Sequence, residues 1–347
     1  MKIAVISFTI NGKRLADRMI EKLKNQHMFT SAVKCSGVAS SIQESLGEWT
    51  KEMFQSQDAL IFVGAVQIAV RAIAPYIRSK TTDPAVLVFD EKGNYGIPIL
   101  SGHLGGANEL VKEICGVIEA QPIVTTATDI NGRWAVDVFA RKNRLVICEM
   151  EQAKRISASI LKGNTVTVAV NEWNRRVKGK LPKEVEQYIE DVGNVPDIRI
   201  GIYEKEEKER DSLYLIPKAV VVGIGCKKGS SLLQIEQAVE KALKRSKICR
   251  NSLSKVASID LKEQETGILE YCEKYHLKKE FYSAKELNQV PGDFSGSEFV
   301  TQVTGVDNVC ERSAVLASGN GNLIMRKMAL NGVTVALAQE DWKIEFE

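Results

Sequence analysis

The sequence predicts an α/β protein in three parts. These are an amino-terminal parallel-sheet α/β domain over residues 1–142, a small central α+β domain over 143–215, and a carboxy-terminal α/β domain over 216–347. Three observations lead there. Short, nearly unbroken apolar runs alternate with stretches of 3.6-residue apolar period, the pattern of buried strands and amphipathic helices around a parallel sheet. Glycine then thins out and Lys/Glu density rises between about 143 and 215, and a second glycine-rich strand–turn–helix pattern begins near 217. The length of 347 residues suits two or three domains rather than one.

In the first part, KIAVISF (2–8) reads as a buried strand and RLADRMIEKL as a helix with apolar residues at 15, 19, 20 and 23. DALIFVGA (58–65) is a second apolar strand, followed by a helix from Val66 to Ile77. Arg71 and Arg78 are expected on one face of that helix, with Arg71 among apolar neighbours, where a charge must be paired or bind an anion. AVLVFD (85–90) is the third strand. LSGHLGGANEL (100–110) turns into a helix whose stripe is Ala107, Leu110, Val111, Ile114, Val117 and Ile118, and QPIVTTATD (121–129) closes the part as a strand. In the centre, TVTVAV (165–170) alternates like a half-buried strand, and EKEEKERD (204–211) is a charge run expected on solvated surface. In the third part, AVVVGIGC is a strand, KKGSS a turn, and Leu232, Ile235, Val239, Ala242 and Leu243 mark a helix. SKVASID (254–260) is a strand ending on Asp260, KEQETGILEYCEKYH and TGVDNVCERSAVLAS are helical, and MALNGVTVALA is a hairpin about Asn331-Gly332.

Composition excludes several classes. A net charge of +3 from scattered basic residues gives no footprint for nucleic acid. No apolar run reaches spanning length and the start reads as a strand, so a cytoplasmic protein without a membrane partner is expected. Seven dispersed cysteines read as reduced thiols. No Cys-x-x-Cys or His-x-x-x-His pair suggests a structural metal. Glycines at 223, 225 and 229 are one residue too widely spaced for the dinucleotide fingerprint, and no phosphate-loop run appears. That turn is either a plain strand-to-helix turn or an anion nest, with Gly225, Lys227 and Lys228 around it and Cys226 placed where a thiolate is favoured.

The chain has three histidines, and only His103 sits in a glycine-rich turn ahead of a helix. It is a candidate acid–base group, since its ordinary pKa lies near neutrality. Ser101, Gly102, Gly105, Gly106 and Asn108 around it are candidates to hold a ligand, as are Gly64 and Arg71. Thr125, Thr126, Thr128 and Asp129 offer hydroxyls and a carboxylate at a strand end; alternatively Asp129 caps the next helix. Asn308, Glu311 and Arg312 share a helix face by spacing and either satisfy one another or, with Asp260 and Glu263, line a polar pocket.

Several stretches together resemble the cobalt-precorrin-5A hydrolases of the anaerobic, early-cobalt cobalamin pathway. They are GAVQIAVRAIAPYIRSKTTDPAV (64–86), IPILSGHLGGANEL (97–110), PIVTTATD (122–129), and the set VVGIGCKKGSS, VASIDLKEQE and FVTQVTGVDNVCERSAV. The resemblance spans nearly the whole chain and is weakest over 143–215; one departure is Gln67, where the family often carries glycine. It implies three parts, the last similar to a small stand-alone protein of the aerobic pathway. It implies opening of the δ-lactone of cobalt-precorrin-5A and release of acetaldehyde to give cobalt-precorrin-5B. No cofactor is implied, because the substrate carries the cobalt. The partner is then a cobalt corrinoid, with transient hand-off to other pathway enzymes. The general base is either His103, with Asn108 or the N–H groups of Gly105 and Gly106 holding the oxyanion, or a carboxylate, Asp260 or Glu311. A non-catalytic tetrapyrrole carrier and an unrelated sugar-phosphate enzyme are the alternative readings.

Overall fold

The computed structural model describes residues 1–79, 82–190 and 194–346. These form two compact units, 1–138 and 139–347. In the first, the chain runs β1 (Lys2–Ser7), α1 (Ile10–Leu23), β2 (Met28–Val33), α2 (Leu46–Ser56), β3 (Ala59–Val63), α3 (Val66–Ile73), β4 (Ala85–Phe89), β5 (Tyr95–Leu100), α4 (Ala107–Ile118), β6 (Gln121–Pro122) and α5 (Ala127–Ile130), then enters α6 (Val136–Lys142). The six-stranded sheet has the order β2-β1-β3-β4-β5-β6. Strands β1, β3 and β4 are buried nearly throughout because helices cover both faces, which is why they read as unbroken apolar runs.

The sheet departs from the all-parallel expectation at one place: β4 and β5 pair antiparallel. The connection from Asp90 to Asn94 is a tight turn, with the Asp90 carboxylate accepting the N–H groups of Lys92 and Tyr95, and is too short for a crossover. The expected strand over 121–129 shrinks to Gln121–Pro122, and the expected helix to Ile77 ends at Ile73 with a 3-10 turn after it. Arg78 therefore lies beyond α3 and shares no helix face with Arg71.

The second unit contains two five-stranded sheets. Its chain continues as β7 (Leu145–Ile147), α7 (Met150–Leu161), β8 (Val166–Val170), α8 (Trp173–Arg176), β9 (Val177–Lys178), β10 (Val185–Gln187), β11 (Ile198–Ile200) and β12 (Leu213–Pro217). One sheet runs β10-β8-β11-β12-β7, parallel except for β7. The charge run 204–211 is not all solvated: Glu209 is buried and accepts from Arg199 Nε at 2.6 Å and from the Tyr214 hydroxyl. Burial, with Glu209 beside it, pushes the Tyr214 phenol up.

The chain then forms β13 (Val220–Cys226), α9 (Leu232–Ser246), β14 (Leu253–Ile259), α10 (Thr266–Lys274), β15 (Lys278–Tyr282), α11 (Ala284–Asn288), α12 (Glu298–Thr304), α13 (Val309–Ala317), β16 (Asn322–Leu330), β17 (Val333–Gln339) and β18 (Ile344–Glu345). The other sheet runs β15-β14-β13-β17-β16, and β16–β17 is the expected hairpin, with Asn331 and Gly332 at positive φ. The small pair β18–β9 completes the unit. Helix α13 lies close on β13: a Cβ on Gly223 would stand 1.8 Å from the Cys310 carbonyl oxygen. Gly223→Ala is therefore expected to force the two apart and cost about 3 kcal/mol, read as a lower urea midpoint at unchanged slope.

Candidate functional site

In the first unit, the chain leaves β5 through Ser101, which takes a left-handed φ of 54° and donates its hydroxyl to the Asp83 carbonyl at 2.9 Å. A tight turn follows. A Cβ on Gly105 would lie 2.4 Å from that of Ser101, and Gly106 enters α4 at φ 82°, so both positions require glycine. The turn satisfies its own donors: the N–H groups of Gly106, Ala107 and Asn108 bond to the carbonyls of His103, Ser101 and Gly102. Those of Gly106 and Asn108 are thus committed within the loop.

The turn presents His103 to two carboxylates. Its Nδ1 lies 3.1 Å from Asp137 Oδ2, and its Nε2 lies 3.0 Å from Asp129 Oδ2 and 3.1 Å from Thr128 Oγ1. Asn108, buried at the start of α4, donates to Thr126 Oγ1 at 2.9 Å and to Asp129 Oδ2 at 3.0 Å. One turn further along α4, Lys112 reaches Asp129 Oδ1 at 2.6 Å. Asp129 therefore turns towards His103 instead of capping a helix. The His103 side chain keeps 16% of its surface exposed, enough for solvent to touch it.

The electrostatics follow from this arrangement. The hydrogen bond to Asp137 raises the His103 pKa; burial opposes this, and the charges of Asp137 and Asp129 add to the rise. Burial pushes Asp129 and Asp137 up, but hydrogen bonds outweigh it and hold both below the ordinary aspartate value. They come from Lys112, His103 and Asn108 on Asp129, and from His103 on Asp137. A raised histidine favours the folded state most where the imidazole is charged. Its contribution is full below the unfolded value of about 6.5 and is lost as pH rises through the higher folded value. Melting temperature measured across that window should fall more steeply with pH for the wild type than for His103→Ala.

Thr128, one of the hydroxyls expected at that strand end, joins the cluster; Asp137 and Lys112 complete it and were not singled out as site residues from sequence. Only the i, i+4 spacing of Asn108 and Lys112 carried a signal. Gly64 follows β3 and donates its N–H to the Phe89 carbonyl at 2.8 Å. Thr125 is exposed. Arg71 is also exposed, so the apolar neighbours in its sequence do not enclose it.

The candidates of the second unit fall into separate places. Asp260 is exposed and accepts the Leu261 N–H at 2.7 Å. Asn308 caps α13, its Oδ1 accepting the Glu311 N–H at 2.9 Å while its Nδ2 donates to the Ser295 carbonyl at 3.0 Å. Glu311 is fully buried and accepts the N–H groups of Ser295 at 2.9 Å and Lys327 at 2.6 Å. Arg312 pairs with Asp307 and donates to the carbonyls of Leu287 and Val290, lying over the Phe294 ring. These bonds pin the 287–295 segment. None of these bonds reaches Asp260 or Glu263.

The KKGSS turn already holds an anion, because the Gly229 N–H donates to Glu265 at 2.7 Å. Cys226 is not activated there: burial pushes its thiol up. Gly225, Lys227 and Asn308 do share a cavity of the second unit.

Comparison with known proteins agrees in both units. The family described as Cobalamin synthesis G N-terminal matches residues 48–129, which include His103, Asn108 and Asp129, and Cobalamin synthesis G C-terminus matches residues 220–338. The cobalt-precorrin-5A hydrolase of Priestia megaterium is 31% identical over 298 residues, covering 82% of this chain and 79% of that protein. The cobalt-precorrin-5A hydrolase of Salmonella typhimurium is 28% identical over 344 residues, covering 96% and 97%. Protein CobE of a Sinorhizobium species is 29% identical over 121 residues, covering 34% of this chain and 79% of its own. The chain belongs to the cobalamin synthesis G family, that of the cobalt-precorrin-5A hydrolases.

Proposed function

We propose that this chain is a cobalt-precorrin-5A hydrolase: it opens the δ-lactone of cobalt-precorrin-5A with water and releases acetaldehyde to give cobalt-precorrin-5B. The observation that carries the chemistry is His103 held by Asp137 on one ring nitrogen while the other faces Asp129 and Thr128 in a solvent-touched loop. The lactone carbonyl needs a water that loses a proton as it attacks, and the departing ring oxygen needs one. A histidine oriented by a carboxylate takes the first and returns it for the second. The freed hydroxyl then gives up its proton to the again neutral His103 as the carbon–carbon bond breaks to leave acetaldehyde, and the electron pair of that bond passes into the macrocycle. Asp129, ionised and anchored by Lys112 and Asn108, stabilises the imidazolium between these steps.

Cobalt belongs to the substrate in this reading, and the corrinoid is the partner, handed on transiently to other enzymes of the pathway. A cytoplasmic setting goes with it; no helix among the described residues is long and apolar enough to cross a membrane. A tetrapyrrole carrier would bind the lactone substrate with a spectral shift and release no acetaldehyde, so acetaldehyde assayed with cobalt-precorrin-5A decides between the two.

Asp137→Asn tests the arrangement of the histidine. Loss of that carboxylate removes the largest cause of the raised His103 value, so the acid limb of the pH–rate profile should move to lower pH. The maximal rate should fall by about 10²-fold, because the ring loses its fixed tautomer. A profile and rate unchanged from wild type would remove Asp137 from the mechanism.

A further inference from the structure

A cavity of about 520 Å³ opens in the second unit beside β13, β16 and β17, within the size range of small-molecule pockets. Its wall is largely apolar, and two of its residues, Phe299 and Val303 of α12, leave 73% and 62% of their surfaces uncovered. Exposed apolar surface of this kind beside a hollow marks a place where something docks.

The charge of the lining is one-sided. Lys227, Lys228, Lys262 and Lys327 line the cavity, and among the described residues no aspartate or glutamate does. The chain as a whole is nearly balanced, with 47 basic and 44 acidic residues, so this imbalance is local. Lys262 is paired with Glu265 at 3.1 Å, whereas Lys227, Lys228 and Lys327 have no ion-pair partner among the described residues. Like charges gathered round a low-dielectric hollow raise its potential, and a bound anion relieves that cost.

The two features together restrict the ligand. Inorganic phosphate would satisfy the lysines and leave the apolar wall wet. A fatty acid would cover the wall but bring one carboxylate to three free ammonium groups. A broad apolar ring with several carboxylates at its edge satisfies both. We propose that this cavity seats part of a tetrapyrrole ring, with acetate and propionate arms paired to Lys227, Lys228 and Lys327, as a binding site made wholly within the second unit. The choice of a tetrapyrrole among ring-shaped polycarboxylates rests on the function proposed above.

Uroporphyrin, an octacarboxylate macrocycle that contains no lactone, is the probe, titrated into the full chain by absorbance and fluorescence. The wild type should bind it, and binding should weaken at least tenfold between about 50 and 500 mM salt. Lys227→Glu with Lys327→Glu should weaken it at least tenfold. Ala329→Trp, which fills the hollow from β16 without altering its charge, should do the same. Circular dichroism checks that these variants fold. Dodecanoate should bind at least tenfold more weakly than the porphyrin. Equal porphyrin affinity in the lysine pair and in Ala329→Trp, or dodecanoate binding as tightly as the porphyrin, would overturn the proposal. Porphyrin binding with these dependences but no acetaldehyde from cobalt-precorrin-5A would sink the hydrolase reading and leave the cavity assigned. Acetaldehyde release with porphyrin affinity unmoved by these variants would do the reverse.

Discussion

His103→Ala is expected to lower acetaldehyde release from cobalt-precorrin-5A by about 10²- to 10⁴-fold, the usual worth of a positioned acid–base group. The turn between β5 and α4 contains no other side chain that exchanges a proton near neutrality. Its glycines shape the backbone, and the N–H groups of Gly106 and Asn108 are spent on the turn's own carbonyls. The variant should keep its fold, because the loop is held by backbone hydrogen bonds and by Ser101 on Asp83, none of which uses the imidazole. Circular dichroism with a single-turnover acetaldehyde assay separates the two effects. Release at the wild-type rate would move the base elsewhere and return Asp260 and Glu311 to consideration.

Glu311→Ala is expected to act on stability, costing about 3 kcal/mol, the order expected when buried donors lose a charged acceptor. The Glu311 side chain is fully buried and gathers the N–H groups of Ser295 and Lys327, joining two segments of the chain at the start of α13. Glu311→Gln should cost nearly as much, about 2 kcal/mol, since its amide turns a donor towards one of those donors. Urea unfolding gives the loss, and turnover per folded molecule should stay near the wild-type level. Unchanged stability with vanished turnover would instead make Glu311 the base.

These two residues illustrate how much was legible in advance. The apolar runs 2–8, 58–65, 85–90 and the strand at 220–226 are strands because each is enclosed on both faces, and one-dimensional hydropathy records that enclosure. Strand β2 and helix α2 escaped notice. The burial of β2 is confined to its last two residues, and the helix 46–56 is announced by the Ser45–Glu48 capping box more than by its apolar stripe. The reversal at β5 depended on a side-chain turn at Asp90, which hydropathy does not register.

For the sites, the sequence by itself determined that His103 sits in a glycine-bound turn before a helix. It also determined that nucleotide motifs are absent and that the motifs resemble those of the cobalt-precorrin-5A hydrolases. The tertiary structure alone decided what that histidine faces. Asp129 and Asp137 lie 26 and 34 residues away along the chain, and only the packing of α4, α5 and the start of α6 at the end of the sheet brings both to one ring. It also decided that Glu311, similar on paper to a catalytic carboxylate, is a buried acceptor, and that lysines from β16 and from the β13–α9 turn meet round one apolar hollow. Residue type and local spacing are written along the chain. Protonation, accessibility and charge balance depend on neighbours that the chain supplies only after it folds.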